Sequence, residues 1–283
     1  MTQQSPPSII EKHRLKLVCR RARARLDTIA GADFLLTQIA EDLEQRLAVI
    51  KKPFHKALIL APRFSGFVNA LGRSMQAATV QLDERVLHDE HLPVDDFDFD
   101  LIVSIGQLHL INDVPGMLSQ LKQRLRPDGL LLACVPGANT IANIRECWIS
   151  AEAEITGGLS SRFLPLFDVR TAGSLLQRTG YSLPVTDIDE VSVSYRDTRQ
   201  IFADLRSMAA TNVLVGGQGH AVTRKLWEKF NQKLTARRDS HGKLPASYEL
   251  IWMSGWAPSP TQQKPLKPGS AEISLADVLK GLE

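Results

Sequence analysis

Two acidic pairs in the first third of the chain carry residue types that can bind a polar ligand. Asp83 and Glu84 follow a short apolar run and could hold the hydroxyls of a ribose, because a carboxylate accepts hydrogen bonds from both members of a diol. An acid at a strand end or in a turn is the alternative explanation. Asp89 and Glu90 lie within the sequence HDEH, whose residue types can ligate metal. No third ligand cluster lies nearby, so we predict no metal site.

Three polar residues follow a second apolar run and could contact the same ligand. Ser104 and Gln107 come after Leu101–Val103, and His109 lies just beyond them. A packing or capping role is the alternative for Ser104 and Gln107. His109 could act as a base because histidine titrates near neutral pH, although a structural histidine is the simpler interpretation.

The stretch Asp98–Pro136 has the pattern of a strand, a helix, a turn and a second strand. Apolar residues at helical spacing within Val114–Leu125 predict one buried helix face. Pro127–Gly129 predicts a tight turn, since proline fixes one dihedral angle and glycine accepts a positive one. Leu130–Val135 is a continuous apolar run typical of a buried strand. Two such strands joined by a helix predict a parallel, right-handed βαβ unit.

Further strands and helices extend this unit into an α/β fold. Ala57–Ala61 and Thr79–Leu82 predict two more strands, with a helix between them. The alternation of strands and helices is typical of an open, mostly parallel sheet with helices on both faces. Ligands bind such sheets beyond the carboxyl ends of the strands. We therefore expect the loops after these two strands and after Val103 to surround one cleft.

The chain of 283 residues divides into three predicted parts. Residues 1–50 form an N-terminal helical arm, residues 51–257 an α/β domain with a helical insertion within about 140–240, and residues 258–283 a surface tail. The formal net charge of +3 does not favour nucleic acid, and the three dispersed cysteines indicate a reducing compartment. No apolar run approaches the roughly 20 residues that span a bilayer.

Basic residues crowd the first predicted helix, between Lys12 and Arg25. A solvated helix face is one explanation. An anionic partner such as RNA, an acidic protein or a lipid surface is the other, because clustered lysine and arginine attract negative charge. Both interpretations stay open at the level of the sequence.

Several longer motifs resemble one branch of the class I S-adenosylmethionine-dependent methyltransferase superfamily. The motifs LHLINDVPGMLSQLKQRLRPDGLLLA, SAEAEITGG and PASYELIWMSGWAP resemble the methyltransferase-like assembly factors of respiratory complex I, found in mitochondria and alphaproteobacteria. The malonyl-carrier O-methyltransferases belong to the wider neighbourhood. The resemblance implies a Rossmann-like fold, S-adenosylmethionine as the cofactor, and methyltransferase or protein arginine hydroxylase activity. It further implies a protein partner such as a respiratory complex subunit or another assembly factor. The location would be the mitochondrial matrix for a eukaryotic chain and the cytoplasm for a bacterial one.

The cofactor loop departs from the pattern of this family. The family has a glycine-rich D-L-G-x-G-x-G sequence, whose glycines let the backbone approach the cofactor. Here the acid is replaced by Ile59 and the first two glycines by Ala61 and Arg63, while the third corresponds to Ser65 or Gly66. Arg63 would occupy the place of the cofactor's methionine part. The stretch after the second strand is also short, as if a helix and part of a strand were missing.

The substrate side departs from the family pattern as well. Two acids of the family's G-G-D-T-x-x-E-L-R sequence are Asn139 and Asn143 here, and an amide cannot act as a base or carry negative charge. Arg145, Tyr195 and Trp252 are further candidate cleft residues, with a core role as the alternative for the two aromatic ones. The resemblance implies cofactor contacts, including the adenine amine for Asp89 and Glu90, and a substrate side. The cofactor candidates are Ala61, Arg63, Ser65, Gly66, Asp83, Asp89, Glu90, Ser104 and Gln107, and the substrate-side candidates are His109, Asn139, Arg145, Tyr195 and Trp252.

These two independent losses favour one functional hypothesis over another. We predict a methyltransferase-like protein with impaired S-adenosylmethionine binding that acts through protein binding. The alternative is an active S-adenosylmethionine-dependent methyltransferase or protein arginine hydroxylase.

Overall fold

The protein folds around one six-stranded sheet with the strand order β2-β1-β3-β4-β6-β5. The structure is a computed structural model and describes residues 8–74, 78–82, 89–94, 96–217 and 221–262. β1, β2, β3 and β4 run parallel, whereas β6 runs antiparallel between β4 and β5. This confirms the predicted α/β class with a mostly parallel, Rossmann-like sheet. The strands are β1 (Lys56–Leu60), β2 (Ala78–Leu82), β3 (Phe99–Ile105), β4 (Leu125–Pro136), β5 (Ser182–Tyr195) and β6 (Leu244–Trp256).

Helices cover both faces of the sheet and one end of it. α4 and α6 pack on one face, α2 and α3 on the other, and α5, α7 and α8 form a cluster at the ends of β5 and β6. The central strands are buried on both faces, which explains their continuous apolar sequences. The helices are α1 (Lys12–Leu26), α2 (Phe34–Ala48), α3 (Ser65–Ser74), α4 (Val114–Arg124), α5 (Ala142–Thr156), α6 (Val169–Arg178), α7 (Thr198–Ser207) and α8 (Arg224–Thr235), with a short 3-10 turn at Leu108–Leu110.

The predicted βαβ unit is present, and one detail differs from the prediction. β4 begins at Leu125, so the predicted turn Pro127–Gly129 is an irregular section inside this strand. Asp128 has a positive φ of 64°. A Cβ atom at Gly129 would lie 2.9 Å from the carbonyl oxygens of Arg126 and Phe99, so only glycine fits there. The proline and glycine therefore shape a bulge and do not separate helix from strand.

The N-terminal helices belong to the body of the fold. The backbone amides of Ile9 and Ile10 donate to Asn112 Oδ1 at 2.8 and 2.9 Å, and the Glu11 amide donates to the Val213 carbonyl at 2.8 Å. α1 then packs along α7, and α2 packs on α3. In consequence, α1 and α2 form a layer that is packed on the rest of the described fold.

The structure bears differently on two further predictions, the helical insertion and the acidic pair after β2. The predicted helical insertion within 140–240 also contains β5, which is the edge strand of the main sheet. Asp83 and Glu84, with most of the predicted surface tail, lie outside the described residues. In the part of the chain that the structure describes, none of the helices is long and apolar enough to cross a bilayer.

Candidate functional site

A cavity of about 160 Å³ lies beyond the carboxyl ends of β1, β3 and β4. Pro62 and Arg63, directly after β1, and Gly106 and Gln107, directly after β3, line it. Ligands of open α/β sheets bind at such a position. The loops after β1 and β3 therefore surround a common cleft as expected, and the loop after β2 lies outside the described residues.

The two N-terminal helices and the segment around the end of α7 close the cavity from above. α1, α2 and the residues just after α7 contribute mostly aliphatic groups. The amphipathic pattern of α2 accounts for this, because one face packs on the sheet while its first turn overhangs the cleft. The enclosing side chains are Ala22, Leu26, Leu35, Leu36, Ile39 and Met208.

Two polar groups in the cavity wall are buried without a partner. Gln107 is 5% exposed, and neither its Oε1 atom nor Nδ1 of His109 has a hydrogen-bond partner within the described chain. Burial lowers the pKa of His109 to about 4, so its ring is neutral at pH 7. A buried polar atom without a partner costs free energy, which a bound ligand with a matching group would recover.

The loop between β1 and α3 is filled by side chains and not by glycine backbone. Ala61 is buried, whereas Ser65, the first residue of α3, is exposed. The ring of Phe64 meets that of Phe67 edge to face at 5.3 Å, and a Cβ atom at Gly66 would lie 2.2 Å from the Phe64 ring. Phe64 therefore covers the first turn of α3, where the resemblance implies cofactor contacts.

A second cavity of about 120 Å³ adjoins the first. His109, Leu110, Pro136 and Thr140 line both cavities. Arg145 lines the second one and donates from Nη2 to the Ala138 carbonyl at 2.8 Å. This second cavity lies where the resemblance implies the substrate side.

The loop after β4 is fastened to β6 through one acid. Glu249, a buried residue of β6, accepts hydrogen bonds from the backbone amide of Asn139 at 3.2 Å and from its Nδ2 at 2.7 Å. The hydroxyl of Thr140 donates to the Glu249 carbonyl at 2.9 Å. Asn139 thus has a structural role as an amide donor.

Several predicted site residues lie away from the first cavity. Asp89 is exposed. Glu90 accepts from Nδ2 of Asn112 at 2.8 Å and from the Asp113 amide at 3.1 Å. Partial burial acts to raise the pKa of Glu90, but these hydrogen bonds outweigh it and lower that pKa. Ser104 is buried within β3 and is absent from the described lining. For these residues, cofactor contact stays a prediction.

The two aromatic candidates lie in the core, the alternative that their sequence context left open. The hydroxyls of Tyr195 and Tyr248 are 2.7 Å apart, and burial raises the pKa of Tyr248 to about 12. Trp252 is 1% exposed, and the Arg46 guanidinium lies 4.6 Å from its ring centre. Of these residues, Tyr248 lines the first cavity.

The charged side chains in the described lining of the first cavity are all positive. S-adenosylmethionine carries a sulfonium and an ammonium group, which favour acceptors or negative charge beside them, and a carboxylate, which favours donors or positive charge. The charged residues of the described lining are Arg23 and Arg63, and that lining includes no aspartate or glutamate. Like charges at close range disfavour binding, above all where water is excluded.

Two contributions to the site were not predicted from the sequence. The first is the enclosing layer from α1 and α2, for which the apolar stripe of α2 was the available signal. The second is Glu249, whose only signal was a single acid inside the apolar run YELIW. Both depend on contacts between distant parts of the chain.

The sequence is similar to known proteins along most of its length. A family model described as "Methyltransferase domain" matches residues 16–184. The mitochondrial arginine-hydroxylase NDUFAF5 of Danio rerio is 35% identical over 270 residues, which are 93% of this chain and 77% of that protein. The human protein of the same name is 32% identical over 199 residues, which are 68% of this chain and 56% of that protein.

Against the human relative, the chain thus spans little more than half the length. Among solved structures, the YcgJ protein of Bacillus subtilis is 11% identical with a TM-score of 0.49, covering 77% of this chain and 99% of that one. The family model covers more than half of the residues, and the zebrafish relative is matched over most of its length. The chain therefore belongs to the methyltransferase-domain family and, within it, to the group of the arginine-hydroxylase NDUFAF5 proteins.

Proposed function

We propose that this chain is a complex I assembly factor of the methyltransferase-like kind that acts by binding another protein. S-adenosylmethionine binding is impaired in this proposal. The supporting observation is the first cavity, whose described lining has two arginines, Arg23 and Arg63, and no carboxylate. Two cations without a carboxylate disfavour the sulfonium and ammonium groups of S-adenosylmethionine.

The loss on the substrate side supports the same proposal. Asn139 and Asn143 stand where the family sequence has acids, and both amides are engaged in the fold. Nδ2 of Asn143 donates to the Pro245 carbonyl at 2.6 Å. An amide held in this way has neither the charge nor the basicity that an arginine substrate would need from it.

The partner and location follow from the family and belong to the proposal. The partner would be a subunit of respiratory complex I or another of its assembly factors. If the chain is eukaryotic, it would act in the mitochondrial matrix, since the names of its relatives include the word mitochondrial. If it is bacterial, it would act in the cytoplasm.

An active S-adenosylmethionine-dependent enzyme, a methyltransferase or a protein arginine hydroxylase, is the second candidate. Similarity to arginine hydroxylases over 93% of the chain favours it. The cavity also stays open beside Arg63. The decisive difference between the two candidates is therefore cofactor binding.

Calorimetry on the purified full chain tests the proposal directly. We expect no saturable heat with S-adenosylmethionine or S-adenosylhomocysteine at concentrations up to about 1 mM, which corresponds to a binding free energy weaker than about −4 kcal/mol. An active class I methyltransferase serves as the control under the same conditions. Saturable micromolar binding, or cofactor retained through purification, would establish the second candidate instead.

A capture experiment tests the protein-binding part. The affinity-tagged full chain is isolated from its own cells, and the bound proteins are identified by mass spectrometry. We expect a complex I subunit or assembly factor, retained when S-adenosylhomocysteine is added. An eluate with neither kind of protein contradicts this part of the proposal.

A further inference from the structure

We propose that the first cavity binds a medium-chain aliphatic carboxylate, with the carboxylate at Arg63 and Gln107 and the chain beneath α1 and α2. The inference rests on the proposed function, because it assigns a new ligand to a cavity that no longer suits S-adenosylmethionine.

The size of the cavity indicates a ligand and not a single water. A water needs about 10–15 Å³ of the space measured here, and the cavity offers about 160 Å³. It therefore has room for on the order of ten non-hydrogen atoms. Octanoate, with eight carbons and two oxygens, matches that estimate.

The surroundings of most of this space favour an aliphatic chain. Leu35, Leu36 and Ile39 of α2 cover the cavity from above, while Ile105 and Leu250 face it from the sheet. Tyr248 is the one aromatic residue in the described lining, so the cavity offers few surfaces on which a flat ring could stack. An aliphatic chain in this position would lose contact with water where these residues cover it.

The geometry of two neighbouring strands gathers the polar groups at one place. Leu60 of β1 pairs with Ser104 of β3, and Arg63 and Gln107 each lie three residues beyond that pair. His109 lies one short turn further along and lines the same cavity. A ligand head at the ends of β1 and β3 would therefore meet all three side chains.

Hydrogen bonding and charge select an anionic head. The Gln107 amide can turn its NH₂ group toward a ligand, and the neutral His109 ring can carry its proton on Nδ1, so each can donate to a carboxylate. Arg63, together with Arg23 at the end of α1, supplies positive charge, and the described lining contains no opposing acid. A carboxylate would give the buried Nδ1 atom of His109 a hydrogen-bond partner when the ring carries its proton there.

Three probes of equal chain length test the charge of the head. Octanoate, 1-octanol and octylammonium are titrated into the full chain, with binding followed by calorimetry and by ligand-detected NMR. We expect saturable submillimolar binding of octanoate, binding of 1-octanol at least tenfold weaker, and none of octylammonium. Equal binding of octanoate and octylammonium, or no octanoate binding, overturns the proposal.

Two pairs of variants test the place of binding. Leu36→Trp adds a large side chain to the cavity lining, whereas the control Val49→Trp adds it where the side chain is 78% exposed. Arg63→Gln removes one cation from the lining, whereas Arg20→Gln removes one from the exposed face of α1. We expect Leu36→Trp to abolish octanoate binding, Arg63→Gln to weaken it about tenfold, and both controls to keep it. Binding that survives in Leu36→Trp is adventitious and refutes the site.

Competition separates this proposal from the proposed function. If neither octanoate nor S-adenosylmethionine binds, this inference fails and the proposed function stands. If S-adenosylmethionine binds and octanoate does not, both fail. If octanoate binds and S-adenosylmethionine displaces it, the carboxylate site is supported, and the claim of impaired cofactor binding is the one that fails.

Discussion

The Glu249 carboxylate holds Asn139 by two hydrogen bonds, 3.2 Å from the backbone amide and 2.7 Å from Nδ2. The first bond uses the backbone, whereas the second requires a donor side chain at position 139. An aspartate there, the residue that the family sequence has, would face a buried carboxylate at hydrogen-bond distance. Asn139 therefore suits its place beside Glu249 better than an aspartate would.

We expect Asn139→Asp to destabilise the fold by about 1–3 kcal/mol at pH 7, since two carboxylates at this distance cannot both ionise without cost. Repulsion between the two carboxylates raises the pKa of the pair in the folded variant above the unfolded value. The difference in unfolding free energy between the wild type and Asn139→Asp should therefore shrink as the pH falls toward 4. Urea denaturation of both proteins between pH 4 and 8 measures it.

Asn139→Ala is the control for this prediction. This variant removes the Nδ2 donor without adding charge, so its loss of unfolding free energy should not depend on pH. A wild-type stability of Asn139→Asp at pH 7 would show that Glu249 does not constrain position 139.

The neutral His109 ring predicts a particular sensitivity to acid. Its folded pKa of about 4 lies below the unfolded value near 6.5, so the unfolded chain binds the proton first as the pH falls. Stability should decline from pH 6.5 toward 4, by as much as about 2–3 kcal/mol at pH 4.5 from this group. His109→Gln should lose less stability than the wild type over that interval. Parallel acid profiles for the two proteins would mean that the ring is not buried in its neutral form.

Arg46 links the N-terminal helices to the far edge of the sheet. It contacts Asp187 at 2.6 Å, Asp189 at 2.7 Å and Asp42 at 3.1 Å, and it stacks on Trp252. We expect Arg46→Ala to cost about 2–3 kcal/mol, between the values for exposed and buried ion pairs, because three carboxylates then converge without a cation. Chemical denaturation measures this change.

Arg224 offers a matched control for Arg46. Its pair with Glu228 is formed within one exposed helix, where the Arg224 side chain is 91% exposed. Arg224→Ala should therefore leave the denaturation midpoint close to that of the wild type. Equal effects of the two substitutions would contradict the role given to the Arg46 cluster.

Asn112 fastens the beginning of α1, so its loss should loosen the layer above the cavity. Asn112→Ala removes the acceptor for the Ile9 and Ile10 amides and the donor to Glu90. We expect faster amide hydrogen exchange in residues 8–26, read by mass spectrometry, with exchange of β3 and β4 unchanged. Asn69→Ala, at an exposed position of α3, is the control. Unchanged exchange in residues 8–26 would show that other contacts hold α1.

The βαβ unit could be predicted because its signals are local. The helical spacing within Val114–Leu125 and the apolar run Leu130–Val135 each depend on neighbours along the chain. Val191 and Val193 alternate with polar residues, which is a local signal for an extended strand, and they belong to β5. The place of β5 in the main sheet could not be predicted, because it depends on pairing with β6, which comes later in the chain.

The character of the site could be predicted only in part. The replaced glycines of the cofactor loop and the two asparagines are visible in the sequence, and Arg63, one of these replacements, lines the cavity. The aliphatic enclosure was not visible, since α1 and α2 acquire it by folding over strand ends. The same holds for the bond between Asn139 and Glu249, which joins residues far apart in the sequence.

Backbone contacts join Glu11 to Val213 and Ile10 to Leu214. The segment before α1 can make these contacts only after residues 213 and 214 have been synthesised. These contacts close a loop that contains most of the sheet, and closing a long loop costs entropy before it yields contacts. During synthesis α1 leaves the ribosome before the other described helices and strands, whereas residues 213 and 214, which pair with the segment before α1, follow only after α7. The part of the upper wall that α1 and the residues after α7 supply is therefore completed late, and a nascent chain stopped before α7 would leave that side of the aliphatic lining open to water.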